Sequence, residues 1–276
     1  MAIVLIIGSH VASSRVGGTL ASLMLALSPF EIEPIHVPTT LLGRHPGLGA
    51  PGGGAVPVEL FSGILEGIAA AGHFAGIDAV LTNYFASPTQ IEIAARAIDA
   101  IKASNPKAFV VVDPVMGDAP DGLYVKEEVA VAIVSELLPR ADYLTPNVWE
   151  LGAMTGLPTQ TLPQIRYVAQ TLGKPTLVTS VRQDERIGGL FVDGAKATLA
   201  LHNCVEVVPK GTGDALATFF LGHLLAGELP SVAMGKALGG VSALVQDAVA
   251  WGSSDLPIIA SAARAWNCDG VEMRAL

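Results

Sequence analysis

The chain has 276 residues and a net charge of −9, from 16 Lys+Arg against 25 Asp+Glu. Only 15% of residues are charged and 51% are apolar, against about 25% charged in an average soluble domain, so a large core is available and disorder is excluded as the main state. The acidic balance argues against nucleic acid or an anionic membrane as the main partner, and two cysteines, Cys204 and Cys268, cannot build a disulfide framework.

Met1-Ala2 leads into an apolar run over residues 3–7 with no basic segment before it, so no secretory signal is expected. No uninterrupted apolar run approaches the ~18 residues of a membrane span, and a cytoplasmic location is expected. The run over 3–7, closed by Gly8-Ser9-His10, has the pattern of a strand buried on both faces. An Ala/Leu-rich helix is predicted over 16–27, stopped near Pro29, and a second strand over 32–37. Residues 38–56 change character: Pro38, Pro46, Pro51 and many glycines predict a long loop, and loops of that length are functional or disordered. A helix is predicted over 57–70, with Pro57 suited to a first turn, then a strand over 79–81 and a helix over 88–103.

A strand over 109–112 ends in Asp113-Pro114. A helix over 129–138, a short strand over 141–144, helices over 147–155 and 162–172 and a strand over 176–179 follow. The period then changes: 187–192 and 197–208 read as β-segments joined by a turn at Asp193-Gly194. Helices return over 214–226, 232–250 and 257–266. Strands alternating with helices, then a hairpin, predict an α/β fold with a mostly parallel sheet and an antiparallel edge. With no repeat and no linker, residues 1–276 are expected to form a single domain.

Gly211-Thr212-Gly213-Asp214 stands between a β-segment and a long apolar helix. Glycines let the backbone approach an anion closely, and N–H groups of a first helical turn suit a phosphate. Asp214 would repel a phosphate, so its presence points either to a general base beside a transferring phosphoryl group or to a plain helix cap. Asp113-Pro114-Val115-Met116-Gly117-Asp118 also follows a strand, where α/β ligands bind. Thr145-Pro146-Asn147 to Glu150 follows another; Asn147 with Glu150 satisfies a capping pattern, while Glu150 near a phosphate-bound Mg²⁺ is the functional alternative. Thr179-Ser180, Ser9-His10 and Asn83-Tyr84 end further strands, so all these polar residues fall on one edge of one sheet. Gly47-Leu48-Gly49-Ala50-Pro51-Gly52 matches the dinucleotide fingerprint only formally, because no strand leads directly into it and no helix opens from it.

In order and spacing, the motifs Asp113 to Asp118, Gly122-Leu123-Tyr124-Val125, Leu137 to Asp142, Thr145 to Glu150, Thr179-Ser180 and Gly211 to Asp214 resemble the pyridoxal kinase family of the ribokinase-like superfamily. Ser9-His10-Val11 and Val16-Gly17 resemble its opening motif, so the likeness runs through nearly the whole chain. It implies a three-layer α/β/α sandwich and an ATP-dependent kinase acting on a hydroxymethyl group of a pyridine-type ring. Asp214 would be the base, with the backbone N–H groups of Gly211, Thr212 and Gly213 as an anion hole. Asp113, Asp118, Tyr124, Asn147, Glu150, Thr179 and Ser180 would line the ATP side, with Asp113 and Glu150 toward Mg²⁺ and room for a monovalent cation such as K⁺. Ser9, His45 and Tyr84 would hold the B6 vitamer, the loop over 38–56 would close as a lid, and the chain would form a homodimer.

The departures from the family pattern lie on the substrate side. Val-Gly-Asn is here Val16-Gly17-Gly18, and Ser-Asn-His-Thr-Gly is here Gly43-Arg44-His45-Pro46-Gly47. Pro46 thus replaces a hydroxyl donor with a residue that has none. That keeps a hydroxymethylpyrimidine kinase as the alternative of the same chemistry; the alternative of another class is a nucleotide-binding regulator without turnover, against which the intact Gly211-Thr212-Gly213-Asp214 speaks.

Overall fold

The computed structural model describes residues 1–205 and 209–276. In chain order the elements are β1 (Ala2–Val11), α1 (Gly17–Ala26), β2 (Ile32–Leu42), β3 (Gly53–Ala55), α2 (Val58–Ala70), β4 (Ile77–Thr82) and α3 (Pro88–Ser104). Next come β5 (Phe109–Val112), β6 (Gly117–Asp118), β7 (Gly122–Leu123), α4 (Glu127–Ala132), β8 (Tyr143–Leu144), α5 (Val148–Thr155) and α6 (Leu162–Thr171). The chain closes with β9 (Thr176–Gln183), β10 (Arg186–Asp193), β11 (Lys196–Asn203), α7 (Thr212–Leu225), α8 (Pro230–Trp251), α9 (Ile258–Trp266) and β12 (Met273–Ala275).

Ten strands form one sheet in the order β12-β11-β10-β9-β8-β5-β4-β1-β2-β3. The run from β2 to β9 is parallel, and β10, β11, β12 and β3 add antiparallel edges. β1 lies between β2 and β4, which is why Val4, Leu5, Ile6 and Ile7 are all aliphatic and fully buried. Val4 and Ile6 face a core built with α1, α7, α8 and α9. Leu5 and Ile7 face the opposite core, with α2, α3 and α4, and α5 and α6 cover the same side of β9 to β11. The fold is the ribokinase-like α/β/α sandwich with its antiparallel hairpin.

Four expectations change. Residues 38–56 are not a continuous loop: β2 runs on to Leu42, and β3 pairs back onto it through Thr40↔Ala55, Leu41↔Gly54 and Leu42↔Gly53. Prolines argue against a strand interior, but β3 pairs only from residue 40 onward, so Pro34 and Pro38 lie on an open strand edge. The segment is a β-flap whose tip, residues 43–52, carries a short 3₁₀ turn at Pro46–Leu48. β9 continues to Gln183 and turns directly into β10 through Asp184, at φ 54°. The turn between β10 and β11 centres on Gly194-Ala195, because Asp193 and Lys196 are themselves a pair; the last three residues of the β-segment expected over 197–208 lie outside the described residues. The helix expected over 129–138 begins at Glu127 and passes through a π turn at Ile133–Leu137. Among the described residues no helix is long and apolar enough to cross a membrane.

Candidate active site

α7 starts directly behind Gly211, its N-cap, which has φ +93°. A Cβ there would come within 2.5 Å of the Arg15 carbonyl, so the close approach of α7 to the chain before α1 requires glycine. Thr212, Gly213 and Asp214 form the first turn, whose N–H groups have no acceptor within the helix. A Cβ at Gly213 would meet nothing within 4 Å, which leaves that turn open to an approaching group.

Asp214 does not cap its own helix. Its Oδ2 accepts the Gly17 N–H at 2.8 Å and its Oδ1 accepts from Asn83 Nδ2 at 2.7 Å. Gly17 has φ +58°, and a side chain there would overlap the Ser9 hydroxyl, so the N-terminus of α1 folds tightly against the end of β1. Burial raises the Asp214 carboxyl above its ordinary value; the Gly17 N–H, the Asn83 amide and His45 pull against it.

Asp113, at the end of β5, is buried. It accepts from Thr145 Oγ1 at 3.2 Å and from Asn83 Nδ2 at 3.2 Å. Burial, then Glu150, then Asp214 hold its carboxyl well above the usual range. Glu150 is buried as well and closes a reciprocal capping box with Asn147: Oε2 accepts the Asn147 N–H at 2.9 Å and Asn147 Oδ1 accepts the Glu150 N–H at 2.8 Å. Its Oε1 accepts the Met116 N–H at 3.0 Å. Burial pushes this carboxyl up to about 7 against those backbone donors. Tyr124, half-exposed, has its phenol raised by burial and by Glu150, Asp113, Asp214 and Asp118. Asp118 is exposed on the β6–β7 hairpin and accepts the Ala119 N–H.

Asn147 Nδ2 donates to the Gly117 carbonyl at 2.9 Å, and the Thr179 N–H donates to Pro146 at 2.8 Å, which joins the segments after β5 and β8 to the middle of β9. Thr179 and Ser180 together face Gly189 in a β-bulge, with Ser180 at φ 60°. Bulges of this kind re-aim side chains beside sites. A cavity of about 130 Å³ opens between this bulge and the first turn of α7, walled by Thr179, Ser180, Val205, Gly213, Leu238 and Val241. On the other side Ser9 is buried and Tyr84 is partly buried against the β-face. His45 stands at the flap tip, where Nδ1 accepts the Gly47 N–H at 3.0 Å. Burial and Lys210 lower its pKa, and Asp214 and Asp255 oppose them.

The polar residues expected at strand ends are brought together at one edge of the sheet, but Ser9-His10 lie within β1 and Thr179-Ser180 within β9 rather than at their ends. Reading the sequence alone misses three neutral donors that hold the carboxylates: the Gly17 N–H, the Met116 N–H and the Asn83 side chain. The Asn83-Tyr84 pair signals its own position, but nothing local signals a partner 131 residues along.

Residues 67–259 match the family described as phosphomethylpyrimidine kinase. The chain belongs to this family. Within it, the chain is 37% identical over 227 residues to a pyridoxine/pyridoxal/pyridoxamine kinase of Bordetella avium, covering 79% of this chain and 76% of that one. It is 32% identical over 267 residues to the pyridoxal kinase PdxY of Corynebacterium diphtheriae, covering 94% and 93%. Among solved structures, the pyridoxal kinase of Leishmania donovani in complex with ADP and pyridoxamine superposes with a TM-score of 0.93 at 26% identity, over the full length of both chains.

Proposed function

We propose that this protein is an ATP-dependent kinase that phosphorylates the 5′-hydroxymethyl group of pyridoxal and related B6 vitamers, with Asp214 as the base. The observation that carries this reading is the Asp214 carboxylate, turned off its own helix and held by two neutral donors beside the open first turn of α7. A carboxylate there is well placed to accept the proton of an attacking hydroxyl, while the N–H groups of Gly211, Thr212 and Gly213 face the charge that develops on the transferred phosphoryl. Full-length likeness to kinases crystallised with ADP and B6 vitamers supports the substrate pair, and the curated relatives favour B6 vitamers over hydroxymethylpyrimidine.

On this reading Ser9, His45 and Tyr84 contact the vitamer, while Asp118, Tyr124, Asn147, Thr179 and Ser180 line the nucleotide. The residues present fit a divalent cation. Glu150 and Asp214 both raise Asp113, and burial holds all three away from their charged forms, a condition that a cation relieves. Among the described residues no group of three or more acidic, His or Cys side chains would hold a metal alone; Mg²⁺ characteristically keeps waters and takes one or two carboxylates plus substrate phosphates. Asp113 and Glu150 would hold it, and it would offset phosphate charge. A monovalent cation such as K⁺, a single domain over 1–276, a homodimer and a cytoplasmic location belong to the same proposal, on the strength of the family resemblance.

The test is ATP consumption with pyridoxal, pyridoxine and hydroxymethylpyrimidine, for the natural protein and Asp214→Asn. The substitution is expected to cut turnover by about 10²–10⁴-fold and to leave ATP binding largely intact. Near-normal turnover in the variant rejects the role of Asp214; far faster turnover of hydroxymethylpyrimidine than of any B6 vitamer rejects the substrate.

A further inference from the structure

The motifs shared with the family leave one buried polar side chain at the centre of the site without a role. Asn83, directly after β4, is 3% exposed. Its Oδ1 accepts the Tyr84 N–H at 2.8 Å. Its Nδ2 donates to Asp214 Oδ1 at 2.7 Å and to Asp113 Oδ2 at 3.2 Å. The orientation of the amide follows from chemistry: the Tyr84 N–H can only donate, so it takes the oxygen and leaves the nitrogen for the two carboxyl groups.

The bonds form one chain. Thr145 holds Asp113, Asn83 joins Asp113 to Asp214, and the Gly17 N–H holds Asp214 from the far side. The chain runs across the ends of β8, β5 and β4 to the starts of α7 and α1. Packing shows the same fit independently. A Cβ at Gly8 would lie 2.8 Å from the Asn83 Cβ, so the end of β1 leaves room for this side chain.

We infer that Asn83 is a positioning residue for phosphoryl transfer: it fixes the rotamer of the Asp214 carboxylate toward the acceptor hydroxyl and sets its separation from Asp113 on the nucleotide side. This rests on the reading of Asp214 as the base. A base acts only on a proton within hydrogen-bond reach, and small misplacements of reacting groups cost large factors in rate. Asn83 is suited to the task because it is neutral. A lysine here would pair with the base, and an acid would repel it.

The experiment is steady-state kinetics of the full chain with ATP and pyridoxal, for Asn83→Ala, Asn83→Leu, Asp214→Asn and the pair Asn83→Ala/Asp214→Asn. Leu has the same number and branching of side-chain heavy atoms as Asn but no donor or acceptor, so it serves if the alanine variant does not fold. A hydrogen bond to a charged group is worth about 1.5–3 kcal/mol, or roughly 10–150-fold. Asn83→Ala and Asn83→Leu are therefore each expected to lower kcat by about 10–100-fold while both KM values move by less than about threefold. In the Asp214→Asn background, Asn83→Ala is expected to change kcat by less than about twofold, because its effect passes through Asp214. An equal loss in both backgrounds, or a rise in KM without a fall in kcat, overturns the inference. Near-normal turnover in Asp214→Asn removes the base itself, and this inference with it. An inactive Asp214→Asn beside near-normal Asn83 variants removes only the role of Asn83.

Discussion

Replacing Gly18 with alanine tests how the first turn of α1 is seated, and the structure fixes the sign of the effect. Within a helix, Gly→Ala ordinarily stabilises by up to about 1 kcal/mol. Here a Cβ would overlap His36 Nε2 and come within 3.0 and 3.1 Å of two ring carbons. That ring is not a loose end: Nε2 lies 3.3 Å from the Gly8 carbonyl, and burial lowers its pKa, keeping it neutral. Overpacking costs about 1–3 kcal/mol, and an overlap this deep with a hydrogen-bonded ring belongs in the upper part of that range, about 2–3 kcal/mol, so the net result is a loss of about 1–2 kcal/mol. In a chain of this size that is a fall in Tm of about 3–6 °C. The displaced turn also carries the Gly17 N–H that holds Asp214, so turnover should fall too. In a His36→Ala background the overlap is gone, and Gly18→Ala should raise Tm by about 1–3 °C and leave turnover unchanged. Thermal unfolding and kinetics of the four proteins settle it. An unchanged or higher Tm for Gly18→Ala in the natural background refutes the reasoning.

Activity should fall on the acid side as Asp214 takes up a proton. Burial raises that carboxyl, so the base is lost at a pH above the ordinary aspartate value of about 3.9; an acid limb of kcat at or below that value contradicts the electrostatics. His45→Ala should raise the KM for pyridoxal more than the KM for ATP, since His45 stands on the flap and not beside the α7–β9 cavity; equal changes in both would remove it from the vitamer side.

Regular elements with local signals are legible in the sequence. The capping pattern of Asn147 and Glu150 places α5, the Asp193-Gly194 pair marks the β10–β11 hairpin, and the fully aliphatic run over 3–7 marks a strand buried on both faces. What escapes depends on partners far along the chain. Pro38 reads as a loop residue because nothing local says that β2 is an edge strand there. Residues 53–55, with two glycines and an alanine, form a strand only because β2 lies opposite. Gly17 and Gly18 fall inside the helix expected over 16–27, where nothing local says why they are glycine, yet one is required by Ser9 and the other by His36. Most of the site residues are legible as strand ends, since chemistry in a parallel sheet collects at one edge. Their hydrogen bonds are not, because each joins segments brought together only by the completed sheet.

The electrostatics of the site explain why neutral donors recur in it. Among the described residues, no ion pair includes Asp113, Glu150 or Asp214; the pairs lie elsewhere, as at Lys102–Asp142 and Arg140–Asp99. A lysine or arginine paired with any of the three would stabilise the resting protein but would cancel the negative charge of the site and, with Asp214 as the proposed base, lower its basicity. Backbone N–H groups and the Asn83 and Thr145 side chains hold the carboxylates in place without adding a charge. The cost is that folding must bury acids held away from their charged form, a penalty that bound ligand can relieve. The geometry thus favours a site that is oriented before substrate arrives and electrostatically complete only afterwards. Gly18 and His36 belong to the same logic. The ring fills the space that glycine leaves, and the donors to Asp214 come from the Gly17 backbone and, across the sheet edge, from Asn83.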